Sequence, residues 1–109
     1  MDDVELARAR ITETLHRMLA GELSFIEGSR IVNGWSHNVG FDRLSEPFVT
    51  FVAIDSETDD VPTGRAREQW SEKAVSRKND DWDRSEAWAR ECGEQACRDA
   101  LALLGQPDS

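Results

Sequence analysis

The sequence predicts an all-α fold, a compact helical bundle of four to six helices around a buried central helix at about residues 45–57. Apolar residues recur at helical spacing near both ends of the chain. The most apolar run, Phe48–Ile54, follows Ser45 and Pro47, which suit the first turn of a helix. Because 109 residues is the size of one ordinary domain, we expect residues 1–109 to fold as a single helical domain.

The first helix is predicted from apolar residues that lie three or four positions apart. Acidic residues precede them, and Gly21 is suited to end the helix. Together these features predict one amphipathic helix whose buried stripe consists of Val4, Ala7, Ile11, Leu15, Met18 and Leu19.

A second helix is predicted from Ser24 to about Trp35. Ser24 and Glu27 have the spacing of a capping box, in which a side chain satisfies the first free backbone N–H groups. Gly28 and Gly34 each weaken a helix by about 1 kcal/mol relative to alanine. We therefore interpret both glycines as places where this helix approaches the first one closely.

The central segment allows two interpretations, because a short apolar run is compatible with a buried strand as well as with a helix. Its Phe, Val, Thr and Ile residues are good strand formers. A helix is favoured by Ser45 as its cap, and only Thr50 would then lie on a polar sector. We therefore favour a helix that is enclosed on most sides. The acids of Asp55–Asp60 oppose it, since negative charge is unfavourable at a helix C-terminus.

The C-terminal part of the chain predicts a helical turn at residues 65–70 and two helices, one over residues 71–79 and one over residues 81–104. The second of these would begin in the acidic run around Asp81 and end before Gly105. We expect it to pack closely on a neighbour through its small residues, Cys92, Gly93, Ala96, Cys97 and Ala100.

Charge and composition limit the classes of partner and compartment. The chain has 22 acidic and 13 basic residues, a net charge of −9, and neither half is basic. Duplex nucleic acid and anionic membranes are therefore excluded as expected ligands, while a basic protein partner is favoured.

Two cysteines indicate a reducing compartment. The N-terminus has no apolar signal core, and no apolar run approaches the roughly 20 residues that span a bilayer, so we expect a cytoplasmic protein.

The acidic run Asp55–Asp60 was tested as a calcium site. Its acids alternate as in a calcium loop, but Asp60 and Ala66 stand where an EF-hand needs glycine and glutamate, so an EF-hand is rejected. We interpret the run as a structural polar corner whose acids pair with Arg43, Arg65 or Arg67. The corner would comprise Asp55, Glu57, Asp59, Arg67 and Trp70, with Arg67 stacked on Trp70. Looser divalent-metal binding by these acids stays an alternative.

No spacing in the sequence indicates an assembled catalytic group. His16 lies beside the apolar stripe of the first helix, and His37 in a predicted loop is the better candidate. A nucleophile would need Ser36 or a cysteine beside His37, with an orienting acid and an oxyanion site. We therefore predict that the protein is not an enzyme and uses no cofactor or metal.

Tryptophan is frequent in this chain, and it is enriched among the residues that dominate protein interfaces. Most of the four tryptophans are expected in the core. Trp82 is flanked by Asp80, Asp81 and Asp83, and we predict that it is half-exposed beside them. The predicted partner-binding residues are therefore Asp80, Asp81, Trp82 and Asp83.

The run from Ser56 to Trp70 resembles a pattern in small acidic helical proteins of bacteria whose function is uncharacterised. The matching residues are Ser56, Glu57, Asp59, Pro62, Gly64, Arg67 and Trp70, and the segment from Gly21 to Arg30 is similar too. Some proteins of this kind resemble immunity proteins, which neutralise a toxin. The resemblance implies an immunity or inhibitor protein for a basic toxin or enzyme. A housekeeping domain without catalytic activity remains the alternative.

Overall fold

The computed structural model describes residues 3–36, 39–40, 44–61 and 71–105. These residues form an all-α helical bundle, as predicted, and no strand is found among them. The predicted turn at residues 65–70 lies outside the described residues. In chain order the helices are α1 (Asp3–Leu19), α2 (Phe25–Ser36), α3 (Phe48–Glu57) and α4 (Glu72–Leu104).

Helix α1 buries most of the face that the apolar spacing predicts, but Val4 is 47% exposed and Leu19 is only partly buried. The helix ends near Gly21. Gly21 has a φ of +79°, a backbone conformation that glycine adopts without the steric cost of a side chain. The N–H of Gly21 donates to the carbonyl of Met18, and that of Glu22 donates to the carbonyl of Arg17. These bonds satisfy carbonyls of the last turn. The residues buried on α1 are Ala7, Ile11, Thr14, Leu15 and Met18.

Helix α2 begins with the predicted serine cap, because the N–H of Glu27 donates to Ser24 Oγ at 3.0 Å. Its two glycines differ in their surroundings. A Cβ at Gly28 would overlap the side chain of Met18, which confirms the predicted close approach to α1. A Cβ at Gly34 would meet nothing within 4 Å, so the same prediction for Gly34 is wrong.

Helix α3 confirms the helical interpretation of the central segment, but it begins later than predicted. Pro47 occupies the N-cap position without a side-chain capping bond, so the prediction of Ser45 as the cap is wrong. Phe48, Phe51 and Ile54 are buried on one face, whereas Ala53 is exposed. The helix is therefore one-sided rather than enclosed on most sides.

Helix α4 is continuous over 33 residues, so the predicted break between residues 79 and 81 is wrong. The acidic run there contains neither proline nor glycine, and nothing in its backbone chemistry forces the helix to stop. At 1.5 Å per residue, the helix is about 50 Å long. That length is comparable with the longest dimension of the molecule, 53 Å.

The described helices pack as a bundle in which α2 and α4 are the most central. Each of them contacts the other three, while the main partners of α3 are α2 and α4. Gly93 of α4 lies against the ring of Phe25 and the side chain of Ile54, so α4 approaches both neighbours closely, as its small residues predict. The core therefore lies between all four helices, and Ile11, Leu15 and Met18 of α1 are fully buried in it.

Candidate functional site

The polar corner after α3 is held by a residue that the sequence analysis did not assign to it. Arg30 of α2 forms an ion pair with Asp55, with 3.6 Å between Nε and Oδ1. Asn33 Nδ2 donates to Asp55 Oδ2 at 3.1 Å and to the carbonyl of Phe51 at 3.1 Å. The predicted partners Arg43, Arg65 and Arg67, and the predicted stacking of Arg67 on Trp70, lie outside the described residues.

Arg30 also closes the backbone turn that follows α3. Its Nη2 donates to the carbonyl of Thr58 and, at 2.9 Å, to the carbonyl of Val61. A charged donor on the free carbonyls at the end of a helix compensates for the unfavourable position of the acids there. Glu57 and Asp59 are consequently held at the end of α3 with their side chains exposed.

The predicted partner-binding run, Asp80–Asp83, lies in the middle of α4 rather than at the start of a helix. Asp80, Asp81 and Asp83 are exposed, as a binding surface requires. Trp82 is only 6% exposed and belongs to the core, so the prediction of a half-exposed Trp82 is wrong. The reason is its angle around the helix, which turns Trp82 onto the same face as the buried Ala89, Ala96 and Ala100.

A groove between the end of α3 and the middle of α4 brings the two predicted regions together. It has a volume of about 380 Å³, and we call it the α3–α4 groove. Glu57 comes from the polar corner, and Asp81 comes from the acidic run of α4. The groove is lined by Glu57, Thr58, Asp81, Arg84, Ser85 and Trp88.

Trp88 is the exposed aromatic residue of the α3–α4 groove, and the sequence analysis missed it. Its side chain is 39% exposed, the half-exposed state that had been predicted for Trp82. Positions 81 and 88 are about 20° apart around a continuous helix, whereas 82 and 88 are about 120° apart. The predicted helix over residues 81–104 already contained all three positions, so its phase would have placed Trp88, not Trp82, beside Asp81.

The groove combines an aromatic surface with unequal charges. Two carboxylates, of Glu57 and Asp81, face one guanidinium, that of Arg84. Arg84 forms an exposed ion pair with Asp81 through Nη2 and Oδ1. Within the described part of the chain, Glu57 forms no ion pair, so the groove retains an acidic excess.

A second pocket, of about 570 Å³, lies at the N-terminus of α2 and includes Met18, Phe25, Glu86 and Arg90 in its lining. The carboxylate of Glu86 accepts hydrogen bonds from the N–H groups of Phe25 at 2.7 Å and Ile26 at 3.3 Å. Glu86 of α4 therefore caps α2 across the bundle, which assigns the polar part of this pocket to stabilising the fold.

The described histidine and the two cysteines lie outside the α3–α4 groove. His16 is exposed on α1, and His37 lies outside the described residues. Cys92 is exposed, contrary to the prediction of a small core residue, while Cys97 is buried. Burial raises the pKa of the Cys97 thiol to about 12. In the part of the chain that the structure describes, no three His, Cys, Asp or Glu side chains come together as metal ligands.

Within the described ranges, no helix combines the length and the apolar character that crossing a membrane requires. Comparison with known proteins gave no relative: no family model matches the chain, no curated protein matches its sequence and no solved structure matches its fold.

Proposed function

We propose that this protein is a binding module that recognises a basic protein partner through the α3–α4 groove. The observation that carries the proposal is the half-exposed Trp88 in a groove that also holds the carboxylates of Glu57 and Asp81. A tryptophan contributes a large apolar area and attracts cations to its face. Carboxylates beside it complete a site that suits a lysine or arginine side chain.

The charge of the whole chain supports the same kind of partner. A net charge of −9 attracts a basic protein over a distance and accelerates its encounter with the groove. We further propose that the partner is a basic toxin or enzyme, which this protein inhibits as an immunity protein. The resemblance around Ser56–Trp70 supports this setting, and a small acidic inhibitor is the partner that a basic enzyme binds fastest.

The alternative of divalent-metal binding at Asp55–Asp60 gains no support from the contacts of Asp55. Its carboxylate already receives the Arg30 guanidinium and the Asn33 amide. A cation would have to displace both groups, and the positive charge of Arg30 would repel it.

The first test concerns the aromatic anchor. Where a toxin gene lies beside the gene for this chain, its catalytically inactivated product is the partner to assay by calorimetry. We expect Trp88→Ala to raise Kd by about 30-fold, the effect of losing an interface residue worth about 2 kcal/mol. Leu103→Ala is the matched control, because Leu103 is similarly exposed, at 37%, on the same helix but outside the groove.

A second pair of variants tests the charge of the groove. Asp81→Lys and Glu13→Lys make the same charge change, and each breaks an exposed ion pair with an arginine three positions away. We expect Asp81→Lys to weaken binding by about tenfold and Glu13→Lys to have a much smaller effect. If Trp88→Ala and Leu103→Ala bind alike, the groove is not the binding site. If the partner forms no complex with the unaltered protein, the immunity proposal is wrong.

A further inference from the structure

The α3–α4 groove already contains one guanidinium, that of Arg84, on the carboxylate of Asp81. Asp81 and Arg84 lie three positions apart on α4, so they share a face with Trp88. Their side chains are 60% and 76% exposed. An ion pair that is this exposed is worth little in free energy, because water and salt screen it, so an incoming charge can displace it.

We infer that Arg84 is an intramolecular competitor for the partner, and that the group it competes with is an arginine side chain. This inference rests on the proposed function of the same groove. The carboxylate of Asp81 is within reach of a guanidinium, as Arg84 demonstrates, and the indole of Trp88 offers a planar surface on which a guanidinium stacks. A partner's arginine bound there takes the place of Arg84 on Asp81.

The inference assigns Arg84 a role opposite to that of its neighbours. Glu57, Asp81 and Trp88 favour the bound state, whereas Arg84 favours the free state by neutralising Asp81 and repelling the incoming cation. Its removal therefore strengthens binding, while removal of the other three weakens it. Arginine is favoured over lysine, since a guanidinium is planar and binds a carboxylate through two parallel hydrogen bonds.

The test measures the binding of a hexa-arginine peptide by calorimetry, and the Trp88 indole N–H signal in nuclear magnetic resonance reports whether the peptide occupies the groove. Trp88→Phe assigns that signal and removes the anchor without a large loss of volume. We expect Arg84→Gln to tighten binding by about two- to fivefold, the factor that corresponds to an exposed ion pair. Hexalysine should bind more weakly than hexa-arginine to both proteins.

Arg90→Gln is the matched control. Arg90 lies on the same helix outside the groove and forms an exposed ion pair with Glu94 at 3.0 Å, so its substitution makes the same change in net charge. If Arg84→Gln and Arg90→Gln raise the affinity for the peptide equally, the effect comes from the overall charge, and the inference is overturned. In the unaltered protein, the Arg84 Nε–H signal should also move as the peptide binds, because an arginine of the peptide replaces Arg84 on the carboxylate of Asp81.

The outcomes separate this inference from the proposed function. If Trp88→Phe and Glu57→Gln weaken peptide binding but Arg84→Gln does not strengthen it, the groove is the binding site and Arg84 is not a competitor. If the Trp88 signal does not move on addition of either peptide, the inference and the choice of this groove are both wrong. If Arg84→Gln weakens binding, Arg84 contacts the peptide directly and the inference is overturned.

Discussion

Trp82 and Trp88 lie six residues apart on one helix and are exposed by 6% and 39%, respectively. Neither the residue type nor the acidic neighbours of Trp82 explain this difference. It follows from the angle of each residue around α4, because α4 turns one tryptophan toward the core and the other toward the α3–α4 groove. At the scale of the residue, environment therefore depends on the phase of the helix that carries it.

Two glycines provide a test of packing at single residues. A Cβ at Gly93 would lie 2.8 Å from Phe25 Cδ1 and 3.3 Å from Ile54 Cδ1, while one at Gly34 would lie in open space. We expect Gly93→Ala to lower the free energy of unfolding by about 1–2 kcal/mol, because the buried ring cannot move aside. Gly34→Ala should raise it by about 0.5–1 kcal/mol through helix propensity. Urea denaturation measures both, and equal effects would contradict this packing.

The two cysteines provide a test of burial. Iodoacetamide at pH 8 should modify the exposed Cys92 in the folded protein and reach Cys97 only after unfolding, as read by mass spectrometry.

Burial raises the pKa of Cys97 from 9.0 to about 12. The stability that the protonated thiol contributes is therefore complete below pH 9 and is lost as pH rises toward 12. Cys97→Ala should remove this part of the pH dependence, and alkylation of both cysteines in the native state would contradict the burial.

At the scale of the element, two helix ends depend on partners far away in the chain. Glu86 of α4 caps the N-terminus of α2, and Arg30 of α2 binds carbonyls after the C-terminus of α3. These contacts connect three helices through their ends as well as through their apolar faces. They also position Glu57 and Thr58, which line the α3–α4 groove.

The contribution of the Glu86 cap to the free energy of unfolding can be measured. We expect Glu86→Ala to lower the free energy of unfolding by about 1–2 kcal/mol, because it removes a charged acceptor from the N–H groups of Phe25 and Ile26. Hydrogen exchange at those two amides should accelerate. Glu94→Ala is the control, since Glu94 forms only an exposed pair with Arg90 and should contribute at most about 0.5 kcal/mol. Equal losses would show that the cap adds nothing.

At the scale of the whole molecule, we propose that the acidic excess accelerates the encounter with the partner and contributes less to the contacts of the final complex. The chain carries a net charge of −9, and exposed acids are found on α1, α3 and α4. A charge distributed in this way attracts a basic partner from all sides. In the proposed complex, the α3–α4 groove, with its tryptophan and two carboxylates, then determines where that partner binds.

The separate roles proposed for the net charge and for the groove predict how salt affects the proposed complex. We expect the association rate constant with the basic partner to fall steeply as the salt concentration rises, because salt screens long-range attraction. The dissociation rate constant should change much less, since contacts inside the groove are shorter than the screening length. Stopped-flow kinetics over a range of salt concentrations measure both constants. A salt dependence found entirely in dissociation would contradict steering by the net charge.

Local patterns predicted α1, α2 and the helical state of α3, whereas the continuity of α4 and the α3–α4 groove were not predicted. Regular apolar spacing and the glycine at position 21 were sufficient for α1, and the serine cap was sufficient for the start of α2. The break at residues 79–81 was predicted wrongly because acids suit a helix start and are also tolerated within a helix. The error for Trp82 has another cause: its exposure was predicted from its acidic neighbours in the sequence and not from its angle around the helix, which also left Trp88 unassigned.

Local patterns and composition were enough to predict that the chain is helical, that it is acidic, and which residues form most of the core face of α1. These properties depend on interactions within a few positions of the chain, or on a sum over all of it. Only the tertiary structure decided that Glu57 and Asp81 line one groove, that Trp88 lies exposed beside them, and that Arg30 and Glu86 hold the helix ends. Such contacts join residues 24 to 61 positions apart, and their partners are chosen by how the helices pack.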